Sequence, residues 1–122
     1  MPVKQDGVQA AAKRCQTAVI VIGRSAGEDR ENTLKKGSFY LTIKEKALLD
    51  AVTTAFQKVV LVLNIGSIMD FAEIDAYGDK ISAILLAWQL GMESGNALAD
   101  VLTGQVNPSG RLTDTIAKTY AD

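Results

Sequence analysis

The segment from Gly23 to Arg30, GRSAGEDR, contains the side chains of this sequence that are best suited to acid–base chemistry. It directly follows the apolar run AVIVI at 18–22, which is typical of a buried strand. It begins a predicted loop from Gly23 to Ser38, far longer than the roughly 2–6 residues usual in α/β units. A long charged loop at the end of a buried parallel strand adds nothing to the core, so we expect it to serve binding or catalysis.

Glu28 is the residue of this loop that we predict to be catalytic. A carboxyl group placed between apolar neighbours and a bound substrate can have its pKa raised enough to hold a proton near neutral pH. The alternative is a solvated loop acid that pairs with Arg24 or Arg30. Composition alone favours neither interpretation.

The two glycines of the segment also invite comparison with a phosphate-binding loop. Their spacing, GRSAGE, fits neither the dinucleotide fingerprint nor the Walker pattern. It also places the carboxylates of Glu28 and Asp29 where a phosphate would lie. The spacing therefore argues against nucleotide binding.

The composition excludes several further classes of chemistry. The 122 residues contain no histidine and a single cysteine, Cys15, so Ser-His-Asp catalysis, Cys-His catalysis and most zinc or iron sites are excluded. We expect no metal and no cofactor. Cys15 follows three alanines in a helical pattern, which predicts a buried structural thiol. The formal net charge of −1 argues against a nucleic-acid partner, which requires a clustered basic face.

The sequence shows no membrane or export signal. No run approaches the 18 or so apolar residues of a membrane span. The first residues, MPVKQDGVQ, lack the apolar core of a secretory signal. We expect no membrane partner and leave the compartment unknown, with the cytoplasm as the default.

Three unbroken apolar runs predict the strands that position the loops: AVIVI (18–22), VVLVL (59–63) and ISAILLA (81–87). None alternates apolar with polar residues, so both faces of each strand should be covered, as in a parallel sheet between helices. Ligands of such sheets bind beyond the carboxyl ends of the strands. The loops at those ends are Gly23–Ser38, Ile65–Asp70 and Trp88–Glu93.

Helical patterns lie between the runs. Thr42 and Glu45 form a capping-box pattern at the start of the clearest one. Its predicted inward stripe consists of Ile43, Ala47, Leu48, Ala51, Val52, Ala55 and Phe56. Further helices are predicted near 9–16, 71–77 and 94–102, the last one capped by Gly104, and an edge strand near 111–116.

These elements predict a single α/β domain over residues 1–122. We expect an open, mostly parallel sheet of about four or five strands with helices on both faces, in a flavodoxin-like arrangement. In such a fold Trp88 directly follows the third strand run. This side chain could stack on a sugar or pack against a neighbouring domain, of which packing is the commoner use.

Four blocks of the sequence together resemble the second domain of glycoside hydrolase family three, the β-glucosidase family. The blocks are AVIVIGRSAGEDR, GSFYLTIKEKALLDAV, KVVLVLNIGS and ISAILLAWQLGMESGNALADVLTGQVNPSGRL. They occur in the family's order from Ala18 to Asp122, and the stretch from Gly95 to Leu112 is the most specific of them.

The resemblance implies an α/β sandwich that packs against a (β/α)-barrel domain, of which this chain would be part. It implies retaining hydrolysis of β-linked glucosides or related oligosaccharides through a covalent glycosyl-enzyme. The family's nucleophile is an Asp of the barrel, and the acid/base in many members is a Glu that corresponds to Glu28. We accordingly predict Glu28 as catalytic and Arg24, Asp29, Arg30 and Trp88 as substrate-binding residues. The chain alone is expected to be inactive without the barrel.

The alternative is a non-catalytic α/β module that acts as a folding or homo-oligomeric interaction unit. A small lone sheet leaves an edge or a face uncovered, and a homodimer would hide it. The size of the chain in solution separates this hypothesis from the catalytic one.

Overall fold

The computed structural model describes residues 3–24, 33–113 and 115–117. Their elements follow the order helix, strand, helix, strand, two short helices, strand, helix. The elements are α1 (Gln5–Ala12), β1 (Thr17–Gly23), α2 (Ile43–Ala55), β2 (Lys58–Asn64), α3 (Ala72–Asp75), a 3₁₀ turn (Gly78–Lys80), β3 (Ala83–Leu86) and α4 (Ser94–Leu102).

The three strands form one parallel sheet in the order β1-β2-β3. In its register Ile20 lies beside Leu61, and Ile22 lies beside Leu63. These four side chains are buried together with Leu49 of α2 in one apolar cluster. The predicted parallel α/β class is confirmed. The sheet has three strands in the described residues rather than four or five.

Helix α2 begins at the predicted capping box. The Thr42 hydroxyl accepts a hydrogen bond from the Glu45 amide, and the Glu45 carboxylate accepts one from the Thr42 amide. The predicted inward stripe is only partly correct, because Leu49 and Thr53 are buried with Val52, whereas Ile43 is 72% exposed. Ile43 is the first residue of the helix, and the buried residues of the helix begin only at Leu49.

One face of β1 remains open to solvent. Val19 and Val21 are 48% and 54% exposed, although both belong to an unbroken apolar run. The prediction that both faces of every strand are covered is therefore wrong for β1 within the described residues. An apolar run without alternation shows that each side chain is compatible with burial. It does not show whether another element covers that side chain.

The remaining differences concern the ends of the chain. Helix α1 occupies Gln5–Ala12 instead of 9–16, so Cys15 lies beyond it and is exposed rather than buried. The described residues of 111–117 form no strand. Helix α4 has the predicted bounds, and Gly104 follows it with a φ of +76°, the left-handed cap that glycine favours.

Candidate functional site

The carboxyl end of the sheet is where the predicted loops begin. The Arg24 amide donates to the Asn64 carbonyl at 3.0 Å, and the Ala87 amide donates to the Leu63 carbonyl at 2.9 Å. These bonds extend the ladder one residue past β1 and β3. The exit points of all three strands are thereby fixed at the same edge of the sheet.

The Arg24 side chain makes four hydrogen bonds immediately after β1. Two of its nitrogens bind the two carboxylate oxygens of Glu45 on α2, Nη1 to Oε1 and Nη2 to Oε2. Nε and Nη2 also donate, at 3.4 Å each, to the backbone carbonyls of Ser38 and Tyr40. A guanidinium has five N–H donors in a fixed fork, so most of its donors are used within the protein.

Glu45 is the centre of this cluster. Its Oε2 also accepts from the Thr42 amide at 2.7 Å and from the Thr42 hydroxyl at 2.8 Å. Burial alone would raise the pKa of Glu45, but the hydrogen bonds from Arg24 and Thr42 and the charge of Arg24 outweigh burial and hold the pKa below its usual value. The carboxylate therefore stays charged and paired at neutral pH.

The segment before α2 forms a compact turn, which we call the 33–40 turn. The Thr33 amide donates to the Ser38 hydroxyl, and the Tyr40 amide donates to the Lys35 carbonyl. Gly37 has a φ of +88°, and a side chain there would meet Thr42 at 3.3 Å. The Asp70 amide donates to the Phe39 carbonyl at 2.8 Å. The turn is therefore tied both to α2, through Arg24 and Glu45, and to the loop after β2.

Replacing Glu45 by Gln tests this arrangement. We expect a loss of about 1–3 kcal/mol in the free energy of unfolding at neutral pH, because the largely buried Arg24 loses its charged partner while Gln can still complete the cap. Since the folded-state pKa of Glu45 is lowered from 4.5, this stabilisation is complete above that value and is lost as pH falls through the folded pKa.

Urea unfolding of both chains at a series of pH values measures the effect. The difference between wild type and Glu45→Gln should shrink as the solution is acidified below pH 4.5. Glu73→Gln is the control, since its partner Lys46 is exposed, and this change should have little effect. A difference for Glu45→Gln that stays constant into strong acid would contradict the electrostatic account.

Trp88 lies just past the end of β3 in an unusual backbone conformation. Among the described residues it is the non-glycine residue with positive φ, at 53°. Such a conformation costs a bulky residue on the order of 1–3 kcal/mol. Its side chain is half-buried and lines a mostly apolar cavity of about 430 Å³ with Phe71, Leu86, Pro108 and Arg111.

Comparison with known proteins identifies the domain. The sequence profile described as the glycosyl hydrolase family 3 C-terminal domain matches residues 3–122. The chain belongs to this family. The β-glucosidase of Ruminococcus albus is 43% identical over 122 residues, which are all of this chain and 13% of that protein.

Solved structures of the family agree with the fold. A β-glucosidase from Paenibacillus barengoltzii superimposes with a TM-score of 0.92 at 38% identity over 99% of this chain and 13% of its own. β-Glucosidase 3B from Thermotoga neapolitana, solved with glycerol, gives 0.89 at 40% identity over 98% of this chain and 17% of its own. This glycosyl hydrolase family 3 segment thus spans only a small part of the length of the relatives it matches.

The predicted site residues fall into two groups. Glu28, Asp29 and Arg30 lie outside the described residues. Arg24 and Trp88 are described and lie at the carboxyl edge of the sheet, one residue past the end of β1 and two residues past the end of β3. Their contact with substrate stays a prediction.

Sequence reasoning missed the second role of Glu45. Its capping box was predicted from local spacing, but the partner Arg24 lies 21 positions away. The available signal was an arginine directly after a strand and an acid in the first turn of the helix that follows, since the strand ends and the helix begins at the same edge of a parallel sheet.

Neither metal ligands nor a membrane helix is evident in the described ranges. Within residues 3–24, 33–113 and 115–117, no three His, Cys, Asp or Glu side chains are grouped to hold a metal ion. No helix of that part of the chain is long and apolar enough to cross a membrane.

Proposed function

We propose that this segment is part of a retaining β-glucosidase-like glycoside hydrolase and supplies its general acid/base, Glu28. The proposal is supported by the two places in the fold at which the loop that contains Glu28 in its sequence begins and ends. The chain leaves the carboxyl edge of the sheet at Arg24, whose side chain binds Glu45 at the start of α2 and the Ser38 and Tyr40 carbonyls of the 33–40 turn. Ligands of parallel α/β sheets bind beyond this edge.

The chemistry proposed for Glu28 has two steps. First, a carboxylate of the partner barrel domain attacks the anomeric carbon, the bond to the leaving oxygen breaks, and Glu28 donates its proton to that oxygen. Then Glu28, now ionised, takes a proton from the water that displaces the carboxylate and releases the sugar. The two carboxyl groups must lie about 5–5.5 Å apart, so we propose that the site forms only where the two domains meet.

The proposed substrate is a β-linked glucoside or a related oligosaccharide. The relatives' names support a glycoside. We retain Asp29, Arg30 and Trp88 as proposed substrate contacts, whereas the side chain of Arg24, also predicted from the sequence to bind substrate, is engaged by protein atoms. The positive φ of Trp88 supports its role as a substrate contact, because strained backbone conformations cluster at binding sites. Its side chain also lines a cavity, and an indole face can stack on a sugar ring.

The isolated chain should not hydrolyse aryl β-glucosides, because attack and proton donation require carboxyl groups from two domains. Steady-state assays of the purified 122 residues measure this directly. Saturable turnover that is lost on Glu28→Gln would contradict the two-domain account.

The proposal itself is tested in a hybrid enzyme. In this hybrid the 122 residues replace the aligned segment of the Paenibacillus barengoltzii β-glucosidase, to which they are 38% identical. Hydrolysis of aryl β-glucosides by the hybrid would support the proposed function. A hybrid that melts cooperatively like its parent and has no activity would contradict it.

One observation favours a second candidate, a homo-oligomeric interaction unit. Val19 and Val21 present an apolar strip on the open face of β1, and exposed apolar strips often mark interfaces. An inactive but folded hybrid, together with an isolated chain that sediments as a tight dimer, would favour this candidate over the hydrolase.

A further inference from the structure

The Arg24–Glu45 pair joins two parts of the chain that lie on either side of residues 25–32. Arg24 is the last described residue before that segment, and the 33–40 turn follows it. The guanidinium of Arg24 reaches across to the carbonyls of Ser38 and Tyr40 at 3.4 Å. The side chain at the start of the loop that contains Glu28 therefore contacts the segment at which that loop ends.

Glu45 fixes the guanidinium in this position. It binds Arg24 through both oxygens and is itself held by the amide and hydroxyl of Thr42. The Arg24 and Glu45 side chains are only 10% and 19% exposed. A bidentate pair that is shielded from water and anchored on a helix start is far more rigid than a surface ion pair.

This geometry leaves Arg24 few donors for a ligand. Four hydrogen bonds to protein atoms account for most of the N–H groups of its fork. Its positive charge is also matched by the Glu45 carboxylate. A substrate would have to compete with the Glu45 carboxylate for the Arg24 guanidinium. The contacts of Arg24 with Glu45 and with the 33–40 turn are already made within the protein.

We infer that Arg24 is a positioning residue for the catalytic acid, acting through Glu45 and the 33–40 turn rather than through the sugar. The inference rests on the proposed function of Glu28. A proton donor must lie within hydrogen-bond reach of the leaving oxygen, and a displacement of about 1 Å can lower a rate 100-fold. The Arg24–Glu45 pair fixes the two ends of the loop from which Glu28 must reach.

The test compares leaving groups in the hybrid enzyme. A 2,4-dinitrophenolate departs without a proton, whereas a phenolate needs one, so kcat/KM for the two glucosides separates proton donation from all other functions. Arg24→Lys keeps the charge but cannot form the planar fork. We expect it to lower kcat/KM for the phenyl glucoside about 10- to 100-fold and for the dinitrophenyl glucoside less than about 3-fold, and Glu45→Gln to behave alike.

Two controls make the result specific. Arg14→Lys makes the same chemical change at an exposed arginine after α1 and should leave kcat/KM unchanged for both glucosides. Hydrogen exchange of the hybrid should show faster exchange in the 33–40 turn of both pair variants, and unchanged exchange in β2. This second measurement does not depend on catalysis.

Each outcome separates the two proposals. Suppose that Arg24→Lys lowers kcat/KM equally for both glucosides, or for neither, while Glu28→Gln lowers it selectively for the phenyl glucoside. The positioning role is then overturned, and the acid/base assignment stands. Unchanged exchange in the 33–40 turn also overturns the positioning role. If Glu28→Gln itself shows no selectivity, the proposed function fails and the positioning role fails with it.

Discussion

Replacing Glu28 by Gln in the hybrid enzyme should lower kcat/KM for phenyl β-glucoside by about 10²–10⁴-fold. Gln has nearly the same size and can still accept a hydrogen bond, but it has no proton to give to the leaving oxygen. The loss should nearly vanish for the dinitrophenyl glucoside in kcat/KM, which reports the first step. Its kcat should still fall, because the second step needs Glu28 as a base.

Glu31→Gln is the matched control for this experiment. It makes the same isosteric change in the same loop, three residues away in sequence, and should leave kcat/KM of both substrates close to that of the hybrid. Equal losses for Glu28→Gln and Glu31→Gln would indicate a general effect of charge on the loop. That result would remove the reason to assign the proton to Glu28.

Replacing Leu61 by Ala should destabilise the chain by about 2–5 kcal/mol. Leu61 lies in the middle of the central strand, beside Ile20 on one neighbour and Ile84 on the other, and is fully buried. Its removal leaves a cavity that two flanking strands cannot close without breaking the ladder. The stability of a domain is only about 5–15 kcal/mol, so this one change should remove much of it.

Urea unfolding of the wild type and the variant measures this loss, provided that the free energy of unfolding falls with urea concentration at the same slope for both. Leu112→Ala is the control, since the same change at a side chain that is 56% exposed should cost much less. If Leu61→Ala costs no more than Leu112→Ala, the buried cluster that joins Leu61 and its strand neighbour Ile20 to Leu49 of α2 is not the core of the domain.

Local signals in the sequence were sufficient for most of the fold. The cap of α2 was predictable because Thr42 and Glu45 stand in the three-residue spacing that reciprocal capping requires. The bounds of α4 were predictable because Gly104 can adopt the left-handed conformation that ends a helix. The parallel sheet followed from three unbroken apolar runs.

Features that depend on distant contacts were not predictable in the same way. The exposure of Val19 and the burial of Thr53 depend on which element covers each face, and the apolar pattern does not contain that information. The pairing of Arg24 with Glu45 depends on two elements meeting at the same edge. For the same reason the sequence alone predicts that Arg24 binds substrate, whereas in the structure its side chain binds protein atoms.

The most direct test of the account is the pH dependence of kcat/KM for phenyl β-glucoside in the hybrid and in its Glu28→Gln variant. If Glu28 is the proton donor, the hybrid should lose activity at high pH as this carboxyl ionises, and that basic limb should be absent from the variant. A basic limb that persists unchanged in Glu28→Gln would show that another group donates the proton, and it would contradict the central claim.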